Sequence, residues 1–499
     1  MIKKNRMFKL KKFNYLILSF IIILLPILEF LRDNFNEIAI ILGKGFFILI
    51  SFIFLFLLIA TFLIKFFLRK NDFYDSFFIS TVGFYLLFKH SSINQFLVKI
   101  KGNNFFMKDF SSEISLIIIF LLFLLFLLFL LQNNIFFKKF VFIFFYLNFL
   151  FVLVQLNFIK TDLVSKDIEL RNEILFPDLI NDKKPNIYFF ILDAMQPIKD
   201  FEEHYKIDLT NFLNQTKSKN YVYVGDTYNL YGGTTYGLSA FFNLDKIFSD
   251  DNKLKIKSSS YFPIVLKENK SSNLLNNLNN LGYDFKWVGN YYAYCPKFNL
   301  KYCLNPNNNT FDLYLNLSFV AKSPLIQLTQ KFGELFNFDV SNYIFSKSLG
   351  GGGLFKLHDG MGRLTNYLSQ YKEIVKPTFY FIHHMSPHHP YLTAPDCSYK
   401  KYPGIENYEG YKAAYLCNLK KISETIKFLE KKDPNSFVIF QSDHSWQMAK
   451  TPMQKRRIFN LFKTKDECQH NLDQNLNNVN MLRLILSCVT GNDPKYIIN

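Results

Sequence analysis

The first third of the chain carries apolar runs long enough to measure against a bilayer, and the remainder carries none of that length. A hydrocarbon layer ~30 Å thick needs ~20 apolar residues in a helix. Five segments approach that length, near residues 14–31, 45–68, 74–89, 114–132 and 139–158. Asp75, Ser76 and Ser80 interrupt the third, so a re-entrant or interfacial helix is the alternative there. Beyond about residue 158, Phe, Leu and Ile give way to Asn, Lys, Tyr and Asp, a globular composition. At 499 residues the chain exceeds what one core organises, and this shift marks the boundary. It predicts an anchor over 1–158, a juxtamembrane linker over 159–185 and a folded domain over 186–499.

Orientation follows from the short flanks. Lys3, Lys4, Arg6, Lys9, Lys11 and Lys12 precede the first apolar segment, Lys65, Arg69 and Lys70 close the second, and Lys138 and Lys139 separate the fourth from the fifth. The positive-inside rule puts all three clusters in the cytoplasm. An odd number of spans then delivers the folded domain outside. Lys99, Lys101 and Lys108 depart from this pattern on the expected outer side. The basic start runs into a long apolar stretch without a small-residue cleavage site, which reads as an uncleaved signal anchor.

The formal net charge of +18 raises nucleic acid as a partner, but much of the clustered positive charge flanks the apolar segments and the rest is interspersed with acidic residues. No nucleic acid partner is expected. All six cysteines, Cys295, Cys303, Cys397, Cys417, Cys468 and Cys488, lie in the second half, as expected of a domain in an oxidising compartment. They fall into three sequence-local pairs, of which Cys295 with Cys303 is the most plausible bridge.

Four segments of the second half combine strand-like sequence with reactive groups. NIYFFILDAMQ ends an apolar run on Asp193, where a carboxylate at a strand's carboxyl end fits either a metal ligand or a helix cap. YVYVGDTYNLYGGTTYGLSAFFN passes through paired glycines to Thr234 and Thr235 and then into helical sequence. Hydroxyls there lie where backbone N–H groups and the helix dipole favour an anion, and either could act as nucleophile. FYFIHHMSPHHPYL holds His383, His384, His388 and His389, four of nine histidines within seven residues. SFVIFQSDHS places Asp443 beside His444, and carboxylate oxygen with imidazole nitrogen suits zinc or manganese. Asp226 and Ser239 read as supporting residues. Gly350–Gly353 lack the context of a phosphate-binding loop, and His358 and Asp359 read as solvated loop residues.

The order LD, GGTT, HHMSPHHPY, SDH, closed by KRRIFNLFK and NNVNMLRLILSCVTGNDP, resembles the alkaline phosphatase and sulfatase superfamily over roughly residues 185–499. It looks most like the membrane branch that includes phosphoethanolamine transferases and lipoteichoic acid synthases. The resemblance implies a multi-pass α-helical membrane domain of about five helices. An α/β alkaline phosphatase-like domain would follow, with a central mixed, mainly parallel sheet flanked by helices. It also implies one divalent metal ion, zinc or manganese, held by Asp193, Thr234, Asp443 and His444. Thr234 would be the nucleophile, with Thr235 as alternative, and His388 and His383 would bind the substrate phosphate. His384 and His389 have no counterpart in the pattern.

Three departures narrow the reading. Ala194 stands where classical sulfatases often place a second acidic ligand, no Cys or Ser opens an x-P-x-R sequence, and Ser445 with Trp446 follows the Asp-His pair instead of glycine. Sulfate-ester hydrolysis is thereby disfavoured, and the wall beyond the metal is expected to differ. The implied activity is transfer of a phosphoethanolamine- or phosphoglycerol-type head group from a phospholipid to a cell-surface glycan or lipid. It would run through a phospho-threonine at a bacterial-type plasma membrane, on the periplasmic or extracellular side. An anchored phosphodiesterase or phosphatase and a non-catalytic membrane scaffold are the alternatives.

Overall fold

The computed structural model describes residues 2–33, 44–68, 72–89, 135–158, 172–179, 184–247, 272–288, 358–370, 377–402, 406–446, 448–449, 451–469, 472 and 476–497. The chain divides into two compact units, one containing Met1–Leu163 and the other Val164–Asn307 with Phe345–Asn499.

The described part of the first unit is helical: α1 (Ile2–Asp33), α2 (Lys44–Leu68), α3 (Phe73–Phe88) and α4 (Ile135–Phe158). The expected fourth apolar segment, 114–132, lies outside the described residues. Among those residues one helical stretch, Phe136–Val154, is long and apolar enough to cross a membrane, with shorter apolar stretches at Tyr15–Phe30 and Ile53–Phe66. The helices bury Leu18, Ile22, Leu25, Phe78, Val82 and Phe145 against one another. They leave Phe62, Leu63 and Phe66 of α2, and Phe140, Phe144 and Phe151 of α4, exposed. Several interior polar groups bond within the unit. Thr61 Oγ1 donates to Leu57 O at 2.7 Å and to Ser80 Oγ at 3.2 Å, and Ser80 Oγ donates to Ser76 O at 2.8 Å. Lys138 pairs with Asp75 at 3.3 Å near the start of α3, and Lys89 with Glu29 at 2.6 Å just beyond its other end.

The second unit is built on a six-stranded mixed sheet in the order β2-β10-β8-β1-β5-β4. Its strands are β1 (Ile187–Leu192), β2 (Val222–Tyr223), β4 (Asp284–Val288), β5 (Thr378–His384), β8 (Phe437–Ser442) and β10 (Asn460–Lys463). β8, β1, β5 and β4 are parallel, and β10 and β2 add an antiparallel edge. Two two-stranded pairs complete the strands: β3 (Thr227–Tyr228) with β9 (Arg457–Ile458), and β6 (Tyr391–Thr393) with β7 (Tyr399–Tyr402). The described helices are α5 (Ile198–Tyr205), α6 (Thr210–Lys217), α7 (Thr234–Asn243), α8 (Asn273–Asn280), α9 (Gly360–Gln370), α10 (Tyr408–Lys432), α11 (Pro452–Arg456), α12 (Asp466–Gln469) and α13 (Asn478–Thr490).

Every residue of β1, β5 and β8 is buried, which is why their sequences run apolar without alternation: helices cover both faces. Side chains nevertheless alternate between two cores. Ile187, Phe189 and Ile191 pack with α7, α8 and α13 through Phe241, Phe242, Leu278 and Ile485. Tyr188, Phe190 and Leu192 pack on the other side with α5, α9 and α10 through Phe201, Leu364, Tyr415 and Ile422. Residues 172–179, inside the stretch read as a linker, dock onto this unit. Phe176 is fully buried, and Asn277 Oδ1 of α8 accepts from Leu175 N at 2.8 Å.

Register is what positions the site. Leu192, the last residue of β1, lies opposite His384 of β5 and Ser442 of β8. Three neighbouring strands therefore end at one level, and the next residues, Asp193 and Asp443, emerge side by side.

Candidate functional site

The turn after β1 is held by its neighbours. Ala194 takes a left-handed conformation with φ 62°, a conformation unfavourable for a residue with a Cβ by about 1–3 kcal/mol unless other bonds enforce it. Those bonds are present: Ala194 N donates to Asp443 Oδ1 at 3.1 Å, and the buried Tyr411 hydroxyl donates to Ala194 O at 2.9 Å. Ser442 Oγ donates to Met195 O at 2.6 Å and accepts from Phe459 N at 2.9 Å, fastening the end of β8 to the same turn.

Around Asp193 the structure gathers the residues expected from sequence. His383 Nε2 lies 3.3 Å from Asp193 Oδ2, and His444 Nε2 lies 3.3 Å from Asp193 Oδ1 and 3.7 Å from Asp443 Oδ2. Asp193, His388 and His444 each offer one ligand atom, all within 4.8 Å of one another, and Asp193, His383 and Asp443 form a second such trio. His383 and His388, expected to meet the substrate phosphate, thus stand among the groups that could hold a metal. Thr234 opens α7, and its hydroxyl lies near enough to the Asp443 carboxyl to favour that group's charged form, which brings the expected nucleophile beside the cluster. The side chain of Thr235 lies outside the described residues.

Backbone carbonyls fix two of the imidazoles. His444 Nδ1 is 2.7 Å from Ser445 O and His388 Nδ1 is 2.6 Å from His389 O. A carbonyl only accepts, so each Nδ1 carries a hydrogen and each Nε2 is the atom left for a metal or a substrate.

The electrostatics explain why a cation suits this place. Burial works against charge on Asp193, but His388 and the contacts from His383 and His444 hold its carboxyl well below the usual range. Burial, reinforced by the neighbouring Asp193 carboxylate, pushes Asp443 up. Burial opposes charge on His444, yet Asp443 and Asp193 overcome it and push that imidazole up to about 10. Asp193 Oδ1 is buried and, among the described residues, has no aligned hydrogen bond. Two adjacent buried carboxylates, each with an oxygen that lacks a hydrogen bond among the described residues, together with the free imidazole nitrogens, form a hard, anionic donor set that fits zinc or manganese.

The nucleophile loop is fitted to the cluster by Asn229. Its amide donates to the carbonyl of Asp443, and its Oδ1 accepts from Tyr231 N at 2.9 Å. Gly237 leaves the space it needs: a Cβ there would clash with the Asn229 amide. Asn478 tightens the same arrangement by accepting from Leu230 N at 3.0 Å and donating to Gly237 O at 3.1 Å. Gly233, the residue before α7, supplies no side-chain acceptor to the helix end.

A supporting network lies behind the histidines. His358 and Asp359 are not solvated loop residues: His358 is 5% exposed, and burial pushes its pKa down to about 3. Asp359 pairs with Lys421 and lies 3.6 Å from His384 Nδ1. His384 Nε2 meets Asn418 Oδ1 at 3.1 Å, and Asn418 Nδ2 donates to Ser386 O at 2.5 Å. Burial pushes His384 down to about 4, so it is a neutral structural link between α10 and the turn carrying His388. Gly360 lets α9 approach this strand, since a Cβ there would sit 2.7 Å from His383 O. The apolar stretch that follows His358 and Asp359, with Met361 and Leu364 inside, was the signal that these residues open a packed helix.

His389 packs at a tilt against His388 with ring centroids 4.3 Å apart, and burial followed by repulsion from His388 lowers its pKa to about 4. Ser445 and Trp446 are both buried. Trp446 stacks on Tyr411 at 4.5 Å and donates to the Tyr391 hydroxyl at 3.2 Å, so it serves the core beside the turn that carries Asp443. Asp226 pairs with Arg457 at 3.1 Å. Disulfides join Cys397 to Cys417 and Cys468 to Cys488, two of the sequence-local pairs. Cys295 and Cys303 lie outside the described residues.

No protein-family model matches the chain, and no curated protein matches it in sequence. Its structure resembles several solved structures at low identity. It is similar to the C-terminal periplasmic domain of EptC from Escherichia coli in complex with zinc, with 12% identity over 64% of this chain and 87% of that one and a TM-score of 0.40. It is similar to the integral membrane lipooligosaccharide phosphoethanolamine transferase EptA from Neisseria meningitidis, with 13% identity over 79% and 72% and a TM-score of 0.39. A protein in the alkaline phosphatase superfamily from Vibrio parahaemolyticus matches with 15% identity over 67% and 76% and a TM-score of 0.38.

Replacing Asp193 with Asn removes the carboxylate shared by both trios while keeping its shape. Elemental analysis of the purified protein is expected to find bound zinc or manganese in the wild type and a loss of at least about tenfold in metal affinity in Asp193→Asn. Equal metal content in the two proteins would remove Asp193 from the ligand set.

Proposed function

We propose that this chain is a membrane-anchored, metal-dependent phospho-head-group transferase. On this reading Thr234 carries the transferred group between a phospholipid and a surface glycan or lipid. The observation that carries the proposal is the meeting of the Thr234 hydroxyl, at an open helix start, with the Asp443 carboxyl inside a buried Asp and His cluster.

Asp193, Asp443 and His444, with Thr234 Oγ, would hold one zinc or manganese ion, which when bound favours the Thr234 alkoxide and offsets phosphoryl charge. Thr234 Oγ attacks phosphorus, and the bond from phosphorus to the diglyceride oxygen breaks. The hydroxyl proton of Thr234 ends on that oxygen. An acceptor hydroxyl then attacks the phospho-threonine, and its proton returns to Thr234 Oγ. His388, with Nδ1 committed to the His389 carbonyl, offers Nε2 to a phosphoryl oxygen or to the leaving oxygen. The backbone N–H groups at the start of α7 favour the same anion, and the buried strand ends limit the water that could compete.

The anchor reading rests on exposed Phe and Leu faces of α2 and α4, which would cost free energy in water and none in lipid. Five spans would put the second unit outside the cytoplasm, where disulfides such as Cys397–Cys417 persist. A reporter active only outside the cytoplasm, fused after residue 499, is expected to be active, and a cytoplasmic signal would contradict an odd number of spans.

Intact-mass analysis of the full chain in detergent, incubated with mixed phospholipids and divalent metal, is expected to give a head-group increment in the wild type and none in Thr234→Ala. Thr235→Ala should keep the increment. An increment surviving Thr234→Ala would reject the nucleophile, and none in a metal-loaded wild type would favour hydrolysis or a binding role.

A further inference from the structure

Two adjacent arginines meet different fates beside the nucleophile loop. Arg457 is neutralised: its guanidinium lies 2.7 Å from Asp200 Oδ1 and 3.1 Å from Asp226 Oδ1. Arg456, the last residue of α11, has no carboxylate within ion-pairing distance among the described residues, and its side chain is partly exposed. What fixes Arg456 is Asn229. Asn229 N donates to Arg456 O at 2.8 Å, and Arg456 Nε donates to Asn229 O at 2.9 Å. One nitrogen of the guanidinium is thus committed, and its two Nη nitrogens have no hydrogen-bond partner among the described residues.

The place where Arg456 is held gives the charge its meaning. Asn229 also donates to the Asp443 carbonyl, so a single residue links the arginine to the metal-ligand strand end. The aliphatic part of Arg456 runs over the glycine turn: a Cβ built on Gly232 would stand 3.8 Å from Arg456 Cγ. Thr234 is two residues further on. A divalent ion offsets the two carboxylates of Asp193 and Asp443, so the single negative charge of a phosphodiester at Thr234 still needs a cation beside it. A guanidinium suits this task, since parallel N–H donors match two non-bridging phosphate oxygens.

We propose that Arg456 is a substrate-binding residue whose Nη nitrogens hold the non-bridging oxygens of the phosphoryl group at Thr234. The ligand class is a phosphate ester, and inorganic phosphate is its simplest probe. The choice of ligand rests on the transferase reading, while the anion site itself is testable without turnover.

Phosphate binding to the zinc-loaded full chain in detergent is measured by calorimetry for wild type, Arg456→Gln, Arg456→Lys and Lys455→Ala. Arg456→Gln is expected to weaken binding by about tenfold or more. Arg456→Lys, which keeps the charge and loses the fork, should fall between. Lys455→Ala, altering an exposed neighbour, should match wild type. Metal content and thermal midpoint, measured on the same samples, identify a variant that has lost its fold, and Arg456→Lys then carries the comparison. Wild-type affinity in Arg456→Gln or Arg456→Lys at full metal content would overturn the proposal, as would failure of the wild type to bind millimolar phosphate. The two readings fail separately: Arg456-dependent phosphate binding without a Thr234 adduct contradicts transfer alone, and a Thr234 adduct with Arg456-independent binding contradicts this inference alone.

Discussion

The in-register ending of three parallel strands is the constraint from which the site follows. β1, β5 and β8 each fill their length with buried side chains and stop at the same level, so the chain turns polar three times within one small region. Asp193, the His383–His384 pair and Asp443 are brought together by this geometry before any interaction among them is considered. Helices against both faces leave the carboxyl edge as the place where such groups can be aimed without being buried unpaired. The left-handed Ala194 and its bonds to Asp443 and Tyr411 show how closely the turn is specified.

That geometry concentrates charge at a cost. Two carboxylates buried side by side repel one another, and the opposite pKa directions of Asp193 and Asp443 express the conflict. The imidazoles around them relieve part of it, and a divalent cation would relieve more. The surroundings show the same division of labour. Asn229, Asn478 and Asn418 are neutral and rigidly hydrogen-bonded, while net charge is kept to the cluster and to Arg456 at its edge.

Much of this was legible in the sequence because it is written in short, local signals. A run such as FFIL stopping on Asp193, or VIFQS stopping on Asp443, states both the strand and its polar end. GGTT before an apolar stretch states a helix start with hydroxyls on it. What stayed hidden depends on partners distant in sequence. His358 and Asp359 looked like loop residues because their partners Lys421 and His384 are distant in sequence, although the apolar pattern from Met361 to Leu364 signalled the packed helix beside them. Residues 172–179 looked like linker because Asn277, about a hundred positions later, supplies their hydrogen bonds. Trp446 read as part of an altered wall, whereas its stacking on Tyr411 draws it into the core. The helical first unit was legible as composition, yet the 114–132 segment lies outside the described residues.

The central claim is that one metal ion sits where these strand ends meet and activates Thr234. The most direct measurement is anomalous diffraction from crystals of the zinc-loaded catalytic protein, which locates the ion independently of any assay. The account predicts one strong peak bonded to Asp193, Asp443 and His444, at about 2.0–2.2 Å from each ligand atom, with Thr234 Oγ facing it. A fully occupied peak away from Asp193 and Asp443, or a zinc-loaded protein with no peak between them, would contradict it.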